Sequence, residues 1–202
     1  KDKSNNIDMH VPVEGRLQVV GKHEGDVHNS AGGIFSSVND MSKWVIMQIN
    51  AGRYGDNLEK RILSDKTHEE MWSPQTIKPE ANTPYNSHFL CYGLGWNLID
   101  EKGYMVVYHT GELAGVVTRV TIIPELKLGI IVFTNQQSIA AHTAITNTIK
   151  DSYYGIKGVD RVKEEKDRVT RNEAEAAVVT GTIRRQIEEV QKNKLSPANI
   201  SE

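Results

Sequence analysis

Gly103-Tyr-Met-Val-Val-Tyr-His-Thr-Gly-Glu-Leu-Ala-Gly115 runs straight into Val116-Val-Thr-Arg-Val-Thr-Ile-Ile-Pro-Glu-Leu-Lys-Leu-Gly-Ile-Ile-Val-Phe-Thr134, and the reading of this stretch decides the fold. Tyr104 to His109 and Val116 to Ile123 carry the two-residue period of strands, with the second closed by Pro124-Glu125. Val116, Thr118, Val120 and Ile122 share one face of that strand; Val117, Arg119, Thr121 and Ile123 share the other. Leu128 to Phe133 is apolar without alternation, which predicts a strand covered on both faces. Such a strand wants a neighbour on each side, and only Val116–Ile123 is at hand. Strand 128–134 is therefore expected either to pair with another polypeptide or to present an open, aggregation-prone edge.

Upstream, Gly93-Leu-Gly-Trp-Asn-Leu-Ile99 and Tyr104–His109 flank Asp100-Glu-Lys-Gly103, the pattern of a hairpin. Residues 73 to 91, broken by prolines and asparagines, read as a long loop. Ser64 opens a short helix with early acids and Pro74 beyond its end. A longer helix is predicted over 38–51, where Ser37 or Asn39 caps the start, Met41, Trp44, Val45 and Ile49 fall at helical spacing, and Gly52 stops it. Before that helix, Val11–Val13 and Leu17–Val20 read as extended segments around the Glu14-Gly15 turn. After the strands, Ser138 is expected to cap a helix ending near Gly155, with Ile145, Ile149 and Tyr153 stacked along the side that covers the sheet.

Beyond Gly158 the composition turns to charge-rich sequence beginning Arg161-Val-Lys-Glu-Glu-Lys-Asp-Arg168. Val162, Val169, Ala176, Ile183 and Val190 recur every seven residues, but their companion row is largely polar, so the segment reads as a solvated helix rather than a strong coiled coil. Gly181 is a candidate interruption and Pro197 a candidate end. The expected organisation is therefore 1–157 as one domain portion and 158–202 as a charged helical linker.

Composition excludes several functions. With 38% hydrophobic and 25% charged residues and a net charge of -2, the chain has a globular composition and no basic field for nucleic acid. The longest apolar run, Leu128–Phe133, is far below the roughly 20 residues of a membrane span. A single cysteine, Cys91, rules out an intrachain disulfide and any multi-cysteine metal site. No motif activates it as a nucleophile, so it reads as an inert buried thiol. His23, Asp26 and His28 lie in a glycine-containing loop without ligand spacing and read as a chance cluster, so neither metal nor cofactor is expected.

Taken in order, Ser30-Ala-Gly-Gly-Ile-Phe-Ser-Ser-Val-Asn-Asp-Met-Ser-Lys-Trp44, Tyr92-Gly-Leu-Gly-Trp96, His109-Thr-Gly-Glu-Leu-Ala-Gly115 and Phe133-Thr-Asn135 resemble the beta-lactamase-related serine hydrolases, which include class C beta-lactamases, D-alanyl-D-alanine carboxypeptidases, D-aminopeptidases and esterases. The resemblance covers roughly residues 28 to 155. It implies an α/β (α+β) architecture, an antiparallel sheet with packed helices, here as the C-terminal part of a beta-lactamase/transpeptidase-like fold. It also implies that Ser-x-x-Lys and Tyr-x-Asn elements should supply the nucleophile and its acid/base partners. Neither occurs here: Ser64-Asp-Lys66 and Tyr85-Asn-Ser87 have the wrong spacing. In the family both elements precede the glycine-pair helix, so the resemblance places them before Lys1, and it implies that the same missing N-terminal part pairs with the strand 128–134. It likewise makes Leu195–Glu202 a linker towards a small C-terminal domain, and relatives are commonly exported to the cell envelope.

What the resemblance leaves to this chain is a substrate-lining strand: His109, Thr110 and Gly111, with the amide of Glu112 as one backbone donor to a developing oxyanion. Arg119 is a weaker candidate for contacting a substrate anion. Where a lysine would be a fixed cation, an ordinary histidine titrates near 6.5 and is mostly neutral at pH 7, which tilts the parent activity towards esterase or peptidase chemistry over efficient beta-lactam hydrolysis. Trp44 and Trp72 read as core residues on helices, Trp96 as core or pocket wall, and His68-Glu-Glu70 as a solvated helix face. The alternative expectation is a non-catalytic binding module that keeps the scaffold without the chemistry.

Overall fold

The computed structural model describes residues 6–21, 29–79 and 83–192. It divides into two compact units, the first ending at Val159 and the second starting at Asp160.

The first unit is built on six strands: β5 (Thr76–Lys78), β6 (Leu90–Tyr92), β7 (Asn97–Glu101), β8 (Tyr104–Leu113), β9 (Val116–Ile123) and β10 (Leu128–Thr134). Four short strands precede them, β1 (Met9–Val13) with β2 (Arg16–Val20) and β3 (Arg53–Tyr54) with β4 (Lys60–Arg61). The six form one antiparallel sheet in the order β10-β9-β8-β7-β6-β5. Lys102 and Gly103 turn β7 into β8 with φ of 53° and 86°, the paired positive angles of a type I′ hairpin whose twist matches its strands. Two expectations are corrected here. The 73–91 segment is not all loop, because Thr76–Lys78 pairs with Leu90–Tyr92 as an edge strand too short to display a period. His109-Thr-Gly does not end its strand either: β8 continues to Leu113, paired throughout with β9.

Helices cover both faces. On one face lie α2 (Val38–Ile49) and α3 (Asp65–Met71), over Cys91, Trp96, Leu98, Val107 and Ile122. Ser37 and Ser64 cap them by accepting the N–H of Asp40 at 3.2 Å and Thr67 at 3.0 Å. Val45 of α2 is seated against Gly129 of β10 so closely that any Cβ there would overlap its Cγ1. On the other face, α4 (Ile139–Tyr154) covers a core of Leu90, Ile99, Val106 and Ile123. A single helical turn, α1 (Asn29–Gly32), precedes α2.

The α4 stripe is corrected. Ile145 and Tyr153 are exposed, whereas His142, Ala144, Thr146, Asn147, Lys150 and Asp151 are buried. The helix meets the sheet through a polar network in place of the aliphatic row. Lys150 Nζ donates to both oxygens of Glu101, at 2.7 and 3.0 Å, with the two side chains almost fully buried. The Tyr154 hydroxyl adds a bond to Glu101 at 3.3 Å, and that of Tyr85 donates to Asp151 at 2.8 Å. Burial pulls the Lys150 ammonium down to about 8 against the opposing pull of Glu101. Ser138 makes no side-chain capping bond. Trp44 is 40% exposed rather than core, and His68 is buried with its Nε2 2.9 Å from the Gln48 carbonyl.

β10 has β9 as its one strand neighbour among the described residues, while α2 and α4 lie against its faces. Its apolar run is accounted for by this double cover, and its second edge carries no strand among the described residues. The β1–β2 hairpin turns at Glu14-Gly15 and docks where β8 meets β9, its His10 N–H lying 3.0 Å from the Gly115 carbonyl and 3.1 Å from that of Asn135.

The second unit contains α5 (Arg161–Lys192), 32 residues long and continuous through Gly181, which does not interrupt it. Its surface is tied by i,i+3 and i,i+4 pairs such as Arg161–Glu164 and Lys163–Asp167. The heptad members Val162, Ile183 and Val190 are exposed. Pro197 and the Leu195–Glu202 segment lie outside the described residues, as do His23, Asp26 and His28.

Candidate active site

The geometry around His109 follows from a mismatch in strand lengths. β7 begins at Asn97, opposite Tyr108, whereas β8 continues for five more residues alongside β9. Residues 109 to 112 therefore have a paired strand on one side and, among the described residues, a flank vacated by strands on the other. All four are exposed.

In an antiparallel ladder a residue's N–H and C=O point to the same side, and the side alternates along the strand. Asn97 Nδ2 reaches the Tyr108 carbonyl at 3.4 Å, and the Thr118 hydroxyl reaches the Gly111 carbonyl at 3.5 Å. Tyr108 thus directs its backbone towards β7 and Gly111 directs its own towards β9. Alternation turns the backbones of Thr110 and Glu112 to the vacated flank. The Glu112 N–H is then placed as a backbone donor, and its side chain is drawn off to Gln137, whose Nε2 lies 2.9 Å from Oε1. Gly111 packs closely against β9: a Cβ there would stand 2.6 Å from Thr118 Oγ1, so the Thr118 side chain would have to shift.

His109 is held from across the start of β7. Its Nε2 lies 3.0 Å from the Tyr92 hydroxyl on β6, and the ring centroids are 6.1 Å apart. Lys78 on β5 supports Tyr92, with Nζ 5.6 Å from the ring centroid and 2.8 Å from Asn97 Oδ1. Sequence reading missed Tyr92 and Lys78 as parts of this site. Tyr92 stands in the Tyr-Gly-Leu-Gly-Trp motif, but its reach to a residue two strands away depends on sheet order, which no local pattern encodes.

Arg119 is not brought to this place. It pairs with Thr110 while His109 pairs with Val120, so the two side chains leave opposite faces of the sheet. Its guanidinium lies 4.4 Å from the Tyr108 ring centroid, and its Nε donates to Thr121 Oγ1 at 3.1 Å. Burial pulls its pKa down, opposed by Tyr108 and Glu101, which identifies it as part of the internal charge network on the α4 face. Cys91 is buried in the α2-side core, as is Trp96. No group of three or more potential metal ligands occurs among the described residues.

An exposed His-Thr-Gly strand beside a glycine-pair helix and an antiparallel sheet now meets an independent comparison: residues 4–152 match the beta-lactamase family. The chain belongs to the beta-lactamase family. Its fold is accordingly the serine-hydrolase-like α/β arrangement of that family. Among curated proteins, this beta-lactamase-family chain is similar to the unguisins hydrolase ungD of Aspergillus violaceofuscus (strain CBS 115571), 28% identical over 141 residues, 66% of this chain and 25% of that protein. A second relative is the unguisins hydrolase ungD' of Aspergillus campestris (strain IBT 28561), 27% identical over 125 residues, 62% of this chain and 20% of that protein. The chain spans about a quarter or less of the length of these relatives.

Proposed function

We propose that residues 1–157 are the C-terminal part of a serine hydrolase catalytic domain, with residues 109–112 forming one wall of its acyl-substrate pocket and 158–202 serving as a charged helical linker. The parent reaction is attack of a serine hydroxyl on an amide, ester or beta-lactam carbonyl, followed by hydrolysis of the acyl-serine by an activated water. The observation that carries this reading is the vacated flank of β8, where the backbone N–H of Glu112 is available to an oxyanion next to an exposed His109. The nucleophile and its base come from chain outside these 202 residues, and the same missing portion, or another chain, pairs with the edge of β10 that carries no strand among the described residues. Alone, the chain is inactive.

A histidine where a fixed cation would serve a substrate carboxylate favours amide or ester substrates over beta-lactams, and the similarity to two proteins named as hydrolases supports a hydrolytic reaction. In the longer protein, His109→Lys should raise the preference in kcat/KM for acidic over neutral acyl substrates by about tenfold, a difference of roughly 1.4 kcal/mol. An unchanged preference would remove His109 from substrate recognition.

A further inference from the structure

The imidazole of His109 has two nitrogens, and only Nε2 has a partner among the described residues: the Tyr92 hydroxyl at 3.0 Å. One of the pair must donate. A neutral imidazole nitrogen carrying a lone pair is a far better acceptor than a phenol oxygen, and a phenol O–H is a good donor. The favourable arrangement therefore has Tyr92 donating to an unprotonated Nε2. The remaining imidazole proton must then sit on Nδ1, since the hydrogen bond made by one ring nitrogen fixes the state of the other.

Tyr92 is well placed to impose this. It ends β6, whose register with β7 pairs it directly with Asn97. Lys78, one strand further out, packs its ammonium over the Tyr92 ring and anchors on Asn97, itself buried at 7% exposure. The ring is thereby braced on a rigid sheet while its hydroxyl spans the gap left by the start of β7.

We propose that Tyr92 is a positioning residue that locks His109 as the Nδ1–H tautomer, so that this face of the pocket offers a hydrogen-bond donor to an acceptor oxygen of the substrate, a carbonyl or a carboxylate. The substrate consequence rests on the reading of residues 109–112 as a pocket wall; the tautomer does not. Without Tyr92 the histidine would favour the Nε2–H form usual for an unpartnered imidazole, and the donor would point elsewhere.

The test is long-range ¹H–¹⁵N NMR of the imidazole nitrogens in the 202-residue chain, at a pH where His109 is neutral, comparing the chain with its Tyr92→Phe variant. The expected result is a pyrrole-type Nδ1 and pyridine-type Nε2 for His109, with a shift towards the Nε2–H pattern in Tyr92→Phe while core amides such as Val106 and Ile122 keep their positions. A native pattern of Nε2–H, or an identical pattern in the variant, would overturn the proposal. Because the spectrum needs no turnover, either outcome leaves the hydrolase reading to be judged separately by activity.

Discussion

Asp100 is the clearest case of one side chain organising a segment. Sitting at 22% exposure in β7, it accepts the N–H of His88 at 2.8 Å, the N–H of Phe89 at 3.1 Å and the His88 ring Nδ1 at 2.6 Å, and so closes the loop that returns to β6. Burial pushes its carboxyl up, but these bonds more than offset that and take it from 3.8 to about 2. A folded-state pKa below the unfolded one means the unfolded chain binds more protons in the interval between them. The stabilisation is therefore present above about pH 4 and is lost as pH falls towards 2. Asp100→Asn should lower stability by about 1 kcal/mol at pH 6 in urea titrations, and the gap to the parent should close near pH 2. A gap independent of pH would contradict the assignment. None of this was legible in the sequence, where Asp100 read only as part of a hairpin turn.

At the scale of elements, the strands and helices with strong local signals were legible: Ser37 and Ser64 as caps, the two-residue period of Tyr104–His109 and Val116–Ile123, the unbroken apolar run of Leu128–Phe133. The misreadings have a common origin. For α4, aliphatic periodicity pointed to Ile145 and Tyr153, whereas the docked face is polar because Glu101 and Lys150 satisfy one another inside. A pattern of hydrophobicity cannot reveal a buried pair whose partner is 49 residues away. For β5, three residues were too few to read. The buried pair makes a sharp prediction. Lys150→Met leaves the Glu101 carboxylate uncompensated and should cost about 3–5 kcal/mol in urea denaturation, whereas Glu101→Gln with Lys150→Met should recover most of that loss. A double variant as unstable as the single would mean that α4 is held by something other than this pair.

At the scale of the whole molecule, two observations support the proposal that this chain works with a further segment. The sheet presents β10 covered on both faces and unpaired on its outer edge among the described residues, and the chain spans only about a quarter or less of the curated relatives it resembles. The family was legible from the order of four motifs and is now established over residues 4–152. The candidate site was only half legible: His109, Thr110, Gly111 and Glu112 do lie together on one exposed strand, while Arg119 belongs to the opposite face and Tyr92 was missed. Strand parity explains the first error, since Arg119 is one residue out of step with His109 across the ladder. Sheet order explains the second.

The central claim is that this chain carries a pocket wall and that the nucleophile lies elsewhere in the protein. A fluorophosphonate probe, which reacts covalently with an activated serine hydroxyl, tests it most directly when applied in parallel to the 202-residue chain and to the longer protein containing it. The account predicts labelling of the longer protein on a serine outside these 202 residues and no labelling of the chain alone; a labelled serine within the isolated chain would contradict it.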